Sequence, residues 1–137
     1  AVTKAKKLLG EGSNVKCADM FKFKIPKNKY DLIISVSAIH HGTKNQIKNL
    51  VNKIHKALLV NGEVFIVIPD IKSSKEWKTF KDSKEIAPGT FKPFKGPEKG
   101  LIHSFYTKKE IKNYFLEFKN LKLQIDKIGR WIISAKK

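Results

Sequence analysis

The spacing of apolar residues changes several times along the chain, and each change marks an element. Ile47, Leu50, Val51, Ile54 and Leu58 recur at i, i+3, i+4, i+7 and i+11, the stripe of one helix face. Thr43 and Gln46 stand in front of that stripe with the Thr-x-x-Gln spacing of a capping box. Asn61-Gly62 behind it tolerates a left-handed backbone, so the helix is expected to end there. On either side the pattern switches to strands, Asp31 to Val36 and Glu63 to Ile68, with Pro69 as a stop. Their interiors are apolar at successive positions, which implies a sheet covered on both faces. Strand, helix and strand in that order form a βαβ unit with parallel strands.

The flanks are less regular. Val2, Ala5, Leu8 and Leu9 have helical spacing, "GEGSN" is turn chemistry, and "VKCADM" (Val15 to Met20) is a short strand candidate. From 71 to 103 the pattern dissolves into lysines, prolines and glycines, which suggests a short helix around Lys75 to Phe80 and then a long, lid-like loop. Thr107 and Glu110 form a second capping box, followed by the stripe Ile111, Tyr114, Phe115 and Phe118, with Phe105 or Tyr106 placed to staple the helix to the sheet. "LKLQID" and "RWIISA" are expected to close the chain as an antiparallel hairpin at a sheet edge, with Trp131 in packing. The whole is an α/β fold in a single domain, 1–137, with a mostly parallel sheet.

Composition narrows the function classes. A chain of 137 residues with 41% hydrophobic content has the length of one packed domain. Its apolar runs are too short to cross a bilayer, so no membrane partner is expected and the cytoplasm is the default compartment. The lone Cys17 excludes an internal disulfide and a cysteine-based metal site, and it is expected in the core. Lys plus Arg number 29 against 12 acidic residues, a net +17, which makes RNA a candidate partner. The lysines are nevertheless spread over every segment, as on an ordinary solvated surface. Composition says nothing about oligomeric state.

The parallel order gives "IHHG" its interest. Parallel strands deliver their carboxyl ends to one edge, and ligands bind in the crevice there. Three such ends are expected: Asp19-Met20, Ser35 to His41, and Pro69-Asp70. His40 is then a candidate general base and His41 a candidate for lining the crevice. No metal site is expected, because adjacent histidines on an extended segment face opposite ways, and help would have to come from Asp70 or His103. His103 and Tyr106 either pack or face substrate from the lid.

Taken together, "VKCADM", "YDLIISVSAIHH", "KALLVNGEVFIVIPD", "FYTKKEI" and the terminal hairpin resemble the later two thirds of a class I S-adenosylmethionine-dependent methyltransferase, a Rossmann-like fold. That resemblance implies roles. Asp19 would hydrogen-bond the adenine amino group of S-adenosylmethionine, Met20 would line the adenine with its backbone, and Ser35, Val36 and Ser37 would run under the methionine part. From their places at the crevice and on the lid, His41, Asp70, His103 and Tyr106 are the candidates to face the methyl acceptor, which the resemblance leaves as a small molecule or RNA. "LVNGE" matches the family's Leu-x-x-Gly-Gly with Glu63 in place of the second glycine. The family's first strand and Gly-x-Gly-x-Gly loop have no counterpart; "GEGSN" follows a helix and has two glycines. The chain is therefore expected to begin downstream of that loop, with the N-terminal strands missing. The rival expectation is a non-catalytic, basic binding module that keeps the fold.

Overall fold

The computed structural model describes residues 2–10, 12–72 and 81–137. Strands β1 (Tyr30–Val36), β2 (Leu58–Pro69), β3 (Ser83–Ala87), β4 (Thr90–Pro93), β5 (His103–Ser104), β6 (Lys119–Ile125) and β7 (Arg130–Lys136) form two sheets. The larger has the order β1-β2-β7-β6 and the smaller the order β3-β4-β5. Helices α1 (Val2–Leu9), α2 (Lys44–Ala57) and α3 (Lys108–Tyr114) complete the described elements.

The βαβ unit is as the hydrophobic spacing implied. β1 and β2 are parallel, pairing Leu32 with Glu63 through to Val36 with Val67. Helix α2 starts at a complete capping box, in which the Thr43 hydroxyl accepts from the Gln46 N–H and the Gln46 side chain accepts from the Thr43 N–H at 2.9 Å. Its buried stripe is Ile47, Leu50, Val51, Ile54 and Ala57. A second capping box, Thr107 with Glu110, opens α3, and the Lys44 ammonium of α2 donates to the Glu110 carboxylate. The two helices contribute to one core with Val64, Ile66 and Ile68 of β2 and Trp131, Ile133 and Ala135 of β7.

The terminal hairpin forms one edge of the larger sheet, as expected. β7 inserts antiparallel against β2, and β6 pairs on its far side. Three strands of the larger sheet therefore run one way and β7 runs against them.

Several expectations are corrected. Asn61-Gly62 does not end α2. The helix stops at Ala57 because Leu58, fully buried, already has extended backbone and starts β2. Asn61, at φ 63°, and Gly62 instead occupy the irregularity in β2 where its register against β1 shifts. Val15 to Met20 is not a strand; backbone groups need a neighbouring strand to pair with, and none lies beside this segment among the described residues. Cys17 is exposed rather than in the core. One face of β1 is open: Leu32, Ile34 and Val36 keep 51%, 61% and 53% exposure, because α2 and α3 pack on the opposite face. The helix expected at Lys75 to Phe80 lies outside the described residues. Beyond it, the supposed long loop carries the smaller sheet, in which Pro88 and Gly89 turn β3 into β4, with Gly89 at φ 67°.

Gly62 gives a direct check on the bulge. A Cβ there would lie 2.9 Å from Leu59 O, 3.0 Å from Tyr30 O and 3.2 Å from Asp31 O, all backbone atoms. Gly62→Ala is expected to destabilise the fold by about 1–3 kcal/mol through overpacking. Equilibrium urea denaturation measures it, and an unchanged midpoint would show that the β1–β2 approach is looser than described.

Candidate functional site

The site grows from the ends of β1 and β2. Ser37, at φ 50°, turns the chain away from β1 while its N–H still donates to Val67 O at 2.9 Å. Ser35 faces the helix-covered side and is half-buried, whereas Val36 and Ser37 are exposed. Arg130 Nη1 lies 3.5 Å from Ser37 Oγ, at the limit of hydrogen bonding. At the end of β2, Asp70 is buried; its N–H donates to Gly129 O and its Oδ2 accepts from the Lys72 N–H at 3.0 Å. Asp70 also bridges in parallel to Tyr106.

The segment that follows Asp19 and Met20 meets this edge through Phe21. Asp19 Oδ1 accepts from the Phe21 N–H at 2.8 Å, closing a tight turn, and Lys53 Nζ donates to Phe21 O at 2.6 Å. The Phe21 ring then lies on Gly42, so close that a Cβ on Gly42 would come within 2.3 Å of Phe21 Cζ. Gly42 follows the two histidines directly. Phe21 and Gly42 are thus positioning residues that sequence reasoning missed; the glycine after "HH" was the available signal.

The histidines do not behave as residues of an extended segment. Residues 38–42 fold into a turn, with His41 N–H donating to Ala38 O and Gly42 N–H to His40 O, so both rings come to one side. Strand β5 then clamps this turn. Ser104 N–H donates to His40 O at 2.9 Å, and Ser104 Oγ donates to Gly42 O at 2.7 Å. His103 is thereby brought against both rings, its centroid 5.7 Å from that of His40 and 4.8 Å from that of His41, while His40 and His41 are 4.0 Å apart.

Electrostatics follow from this crowding. Burial, and then the neighbouring His41 and His103 rings, lower the His40 pKa to about 3. Burial also lowers those of His41 and His103, against the opposing pull of the Glu98 carboxylate. His40, the candidate general base, is buried and is held toward its neutral form by burial and the two neighbouring rings, which weakens it as a proton acceptor. His41 is the half-buried member of the pair.

Tyr106 is likewise not a substrate-facing residue. It is wholly buried, packs edge-on to Tyr114 at 5.8 Å, and its carbonyl accepts the Trp131 indole N–H at 3.0 Å. Burial raises its pKa well above the ordinary value. It packs as the apolar neighbour of a helix cap packs, beside Ile111 in the common core.

A family model described as a methyltransferase domain matches residues 1–66. None of the curated proteins matches the sequence. Among solved structures, a SAM-dependent methyltransferase from Methanosarcina mazei is similar at a TM-score of 0.64 and 15% identity, over 89% of this chain and 66% of that one. The 1,6-didemethyltoxoflavin-N1-methyltransferase of Burkholderia thailandensis, solved with 1,6-didemethyltoxoflavin and S-adenosylhomocysteine bound, is similar at 0.70 and 11% identity, over 98% of this chain and 55% of that one. An S-adenosylmethionine-dependent methyltransferase from Mesorhizobium loti gives 0.66 at 15% identity, over 98% of this chain and 75% of that one. The chain thus spans less than two thirds of the first two proteins. At these identities the likeness is one of fold, the mixed Rossmann-like sheet of such enzymes.

Tyr106 separates packing from substrate contact. Its hydroxyl is buried beside Ser104 and makes no well-formed hydrogen bond among the described residues, so Tyr106→Phe removes a poorly satisfied polar group. The variant is expected to match or exceed the parent in stability, by up to about 1 kcal/mol, with ligand affinity unchanged. Thermal unfolding and ligand titration measure both; a loss of affinity at unchanged stability would return Tyr106 to the substrate wall.

Proposed function

We propose that this chain, which has the fold of the class I S-adenosylmethionine-dependent methyltransferases, serves methyl transfer from S-adenosylmethionine to an acceptor. The observation that carries the reading is the parallel pairing of β1 and β2. It brings residues 35–41 and Asp70 to one edge, beside the Asp19 turn, where open α/β sheets take their ligands.

The residues at that edge suit the cofactor. Asp19 is exposed and engages Oδ1 in its own turn, while Oδ2 makes no hydrogen bond among the described residues and is open to an amino group. In this reading Asp19 accepts from the adenine amino group, Met20 lines the adenine, and Ser35, Val36 and Ser37 run beneath the methionine part. The cofactor supplies an electrophilic methyl group on a sulfonium centre. The protein's task is alignment of the acceptor's nucleophile with that methyl group, which explains why no acid–base dyad is needed. His41 and His103 wall the acceptor side, Asp70 forms part of its floor, and the β3–β5 sheet acts as the lid.

The acceptor is a small molecule or RNA, and the net charge of +17 is the observation in favour of RNA. The same charge favours the second reading, a basic binding module without catalysis.

Calorimetric titration of S-adenosylmethionine into the full-length protein tests the cofactor assignment. Asp19→Ala is expected to weaken binding roughly 2- to 13-fold, the equivalent of about 0.5–1.5 kcal/mol for one net hydrogen bond. An unaffected variant would remove Asp19 from the adenine site, and absence of binding by the parent would overturn the cofactor itself.

RNA association is expected at low salt and should fade with a log–log slope of about 0.9 per neutralised phosphate on duplex and about 0.7 on single strands. Labelled methyl transfer to RNA or to a small-molecule pool then divides enzyme from binding module. Tight RNA binding with no transfer to any acceptor would favour the module.

A further inference from the structure

We propose that His40, His41 and His103 form a binding site for a divalent transition metal of the zinc type, with Glu98 as the fourth ligand. The three side chains offer ligand nitrogens that all lie within 4.8 Å of one another. Two of these histidines are buried, and each carries a ring nitrogen with no hydrogen-bond partner: His40 Nδ1 and His103 Nε2. Buried polar atoms are nearly always satisfied, so His40 Nδ1 with no hydrogen bond among the described residues, and His103 Nε2 with only the Glu98 carboxylate at 3.5 Å, leave donor capacity in one cluster for a further partner. Glu98 Oε2 stands 3.5 Å from His103 Nε2 without the alignment of a hydrogen bond, and its side chain is 44% exposed, at the mouth of the cluster.

The chemistry agrees with the geometry. Burial holds all three rings toward the neutral form, the form that donates a nitrogen lone pair to a metal. Three imidazoles and one carboxylate form a donor set that zinc accepts in tetrahedral coordination. Bonds of about 2.0–2.1 Å would bring neighbouring ligand nitrogens to roughly 3.4 Å, so the cluster has to contract by an ångström or so. His41 and Glu98, the more exposed members, have room to move, while the Ser104 hydrogen bonds to the 38–42 turn already fix the approach of β5. A metal here would join β5 to the end of β1 beside the crevice. The site stands independently of methyl transfer, since metal occupancy can be read without turnover.

The test uses the full-length protein, stripped with a chelator and titrated with Co²⁺ and then Zn²⁺. One equivalent of Co²⁺ per chain with the visible bands of a tetrahedral complex, displaced by Zn²⁺, is expected. His41→Ala, at a partly exposed position that tolerates truncation, should weaken binding at least 10- to 100-fold, and Glu98→Gln should weaken it less and change the cobalt spectrum. The fourth histidine, His55, stacks on Phe118 at 4.8 Å outside the cluster, and His55→Ala should bind as the parent does. Circular dichroism of each variant confirms the fold. Absence of stoichiometric binding at micromolar metal, retention of full affinity by folded His41→Ala, or loss of binding in His55→Ala would each overturn the site.

Discussion

The parallel register between β1 and β2 is the constraint on which the rest depends. Parallel strands cannot be joined by a tight turn, so the chain must cross over, and α2 is that crossover. Because the crossover begins at Thr43 and ends at Ala57, the residues that leave β1 and enter α2 are forced onto the carboxyl edge of the sheet. The two histidines sit in that short exit. A one-residue slip in register would carry Ser35 from the helix-covered face to the open one. Leu58, Val64 and Ile66, each almost completely buried on β2, oppose such a slip by the area they would expose.

The second determinant is the return of the chain from the smaller sheet. β5 is only two residues long, yet it touches the exit turn, the hairpin of β3 and β4, and the core. Its neighbour Phe105 donates its N–H to Gly89 O, and Tyr106 passes its carbonyl to Ile71 N–H and the Trp131 indole. Through Trp131, β7 is tied to the same point. The edge where ligands would bind is therefore assembled from three distant parts of the chain, held by backbone hydrogen bonds and by the Trp131 indole.

How much of this was legible follows from the range of each interaction. The capping boxes at Thr43 and Thr107 are complete within four residues, so the sequence shows them, and both are present. The strands of the βαβ unit and the terminal hairpin were equally readable, because burial writes itself into apolar spacing. Asn61-Gly62 was misread because a left-handed residue serves a helix end and a strand irregularity equally well, and only the tertiary position of Leu58 decides between them. Val15 to Met20 has strand composition, but pairing requires a neighbour that sequence cannot supply. The meeting of His103 with His40 and His41 depends on a contact such as Ser104 Oγ to Gly42 O, which spans 62 residues and leaves no local trace.

The buried polar groups at this edge divide into two kinds, and the division is informative. Thr90 Oγ1 and Ser104 Oγ lie 3.1 Å apart, and Ser104 Oγ donates a hydrogen bond to Gly42 O, so this pair of hydroxyls is engaged in a dry place. Leaving either hydroxyl unpaired costs on the order of 1–3 kcal/mol, which makes the clamp selective for one placement of β5. In the neighbouring cluster, His40 Nδ1 and His103 Nε2 make no hydrogen bond among the described residues, and His103 Nε2 has only the Glu98 carboxylate at 3.5 Å. The hydroxyls of this clamp are engaged, whereas the two imidazole nitrogens are open toward the other rings of the cluster. Packing alone does not require this, since apolar side chains of similar volume would fill the space without any desolvation cost. The smaller sheet meanwhile keeps Ile86 and Phe94 about half exposed on its outer side. It is held by the polar ties beneath it and by the Phe91 ring edge-on to Phe105 at 5.6 Å, and β5 links it to the histidine cluster.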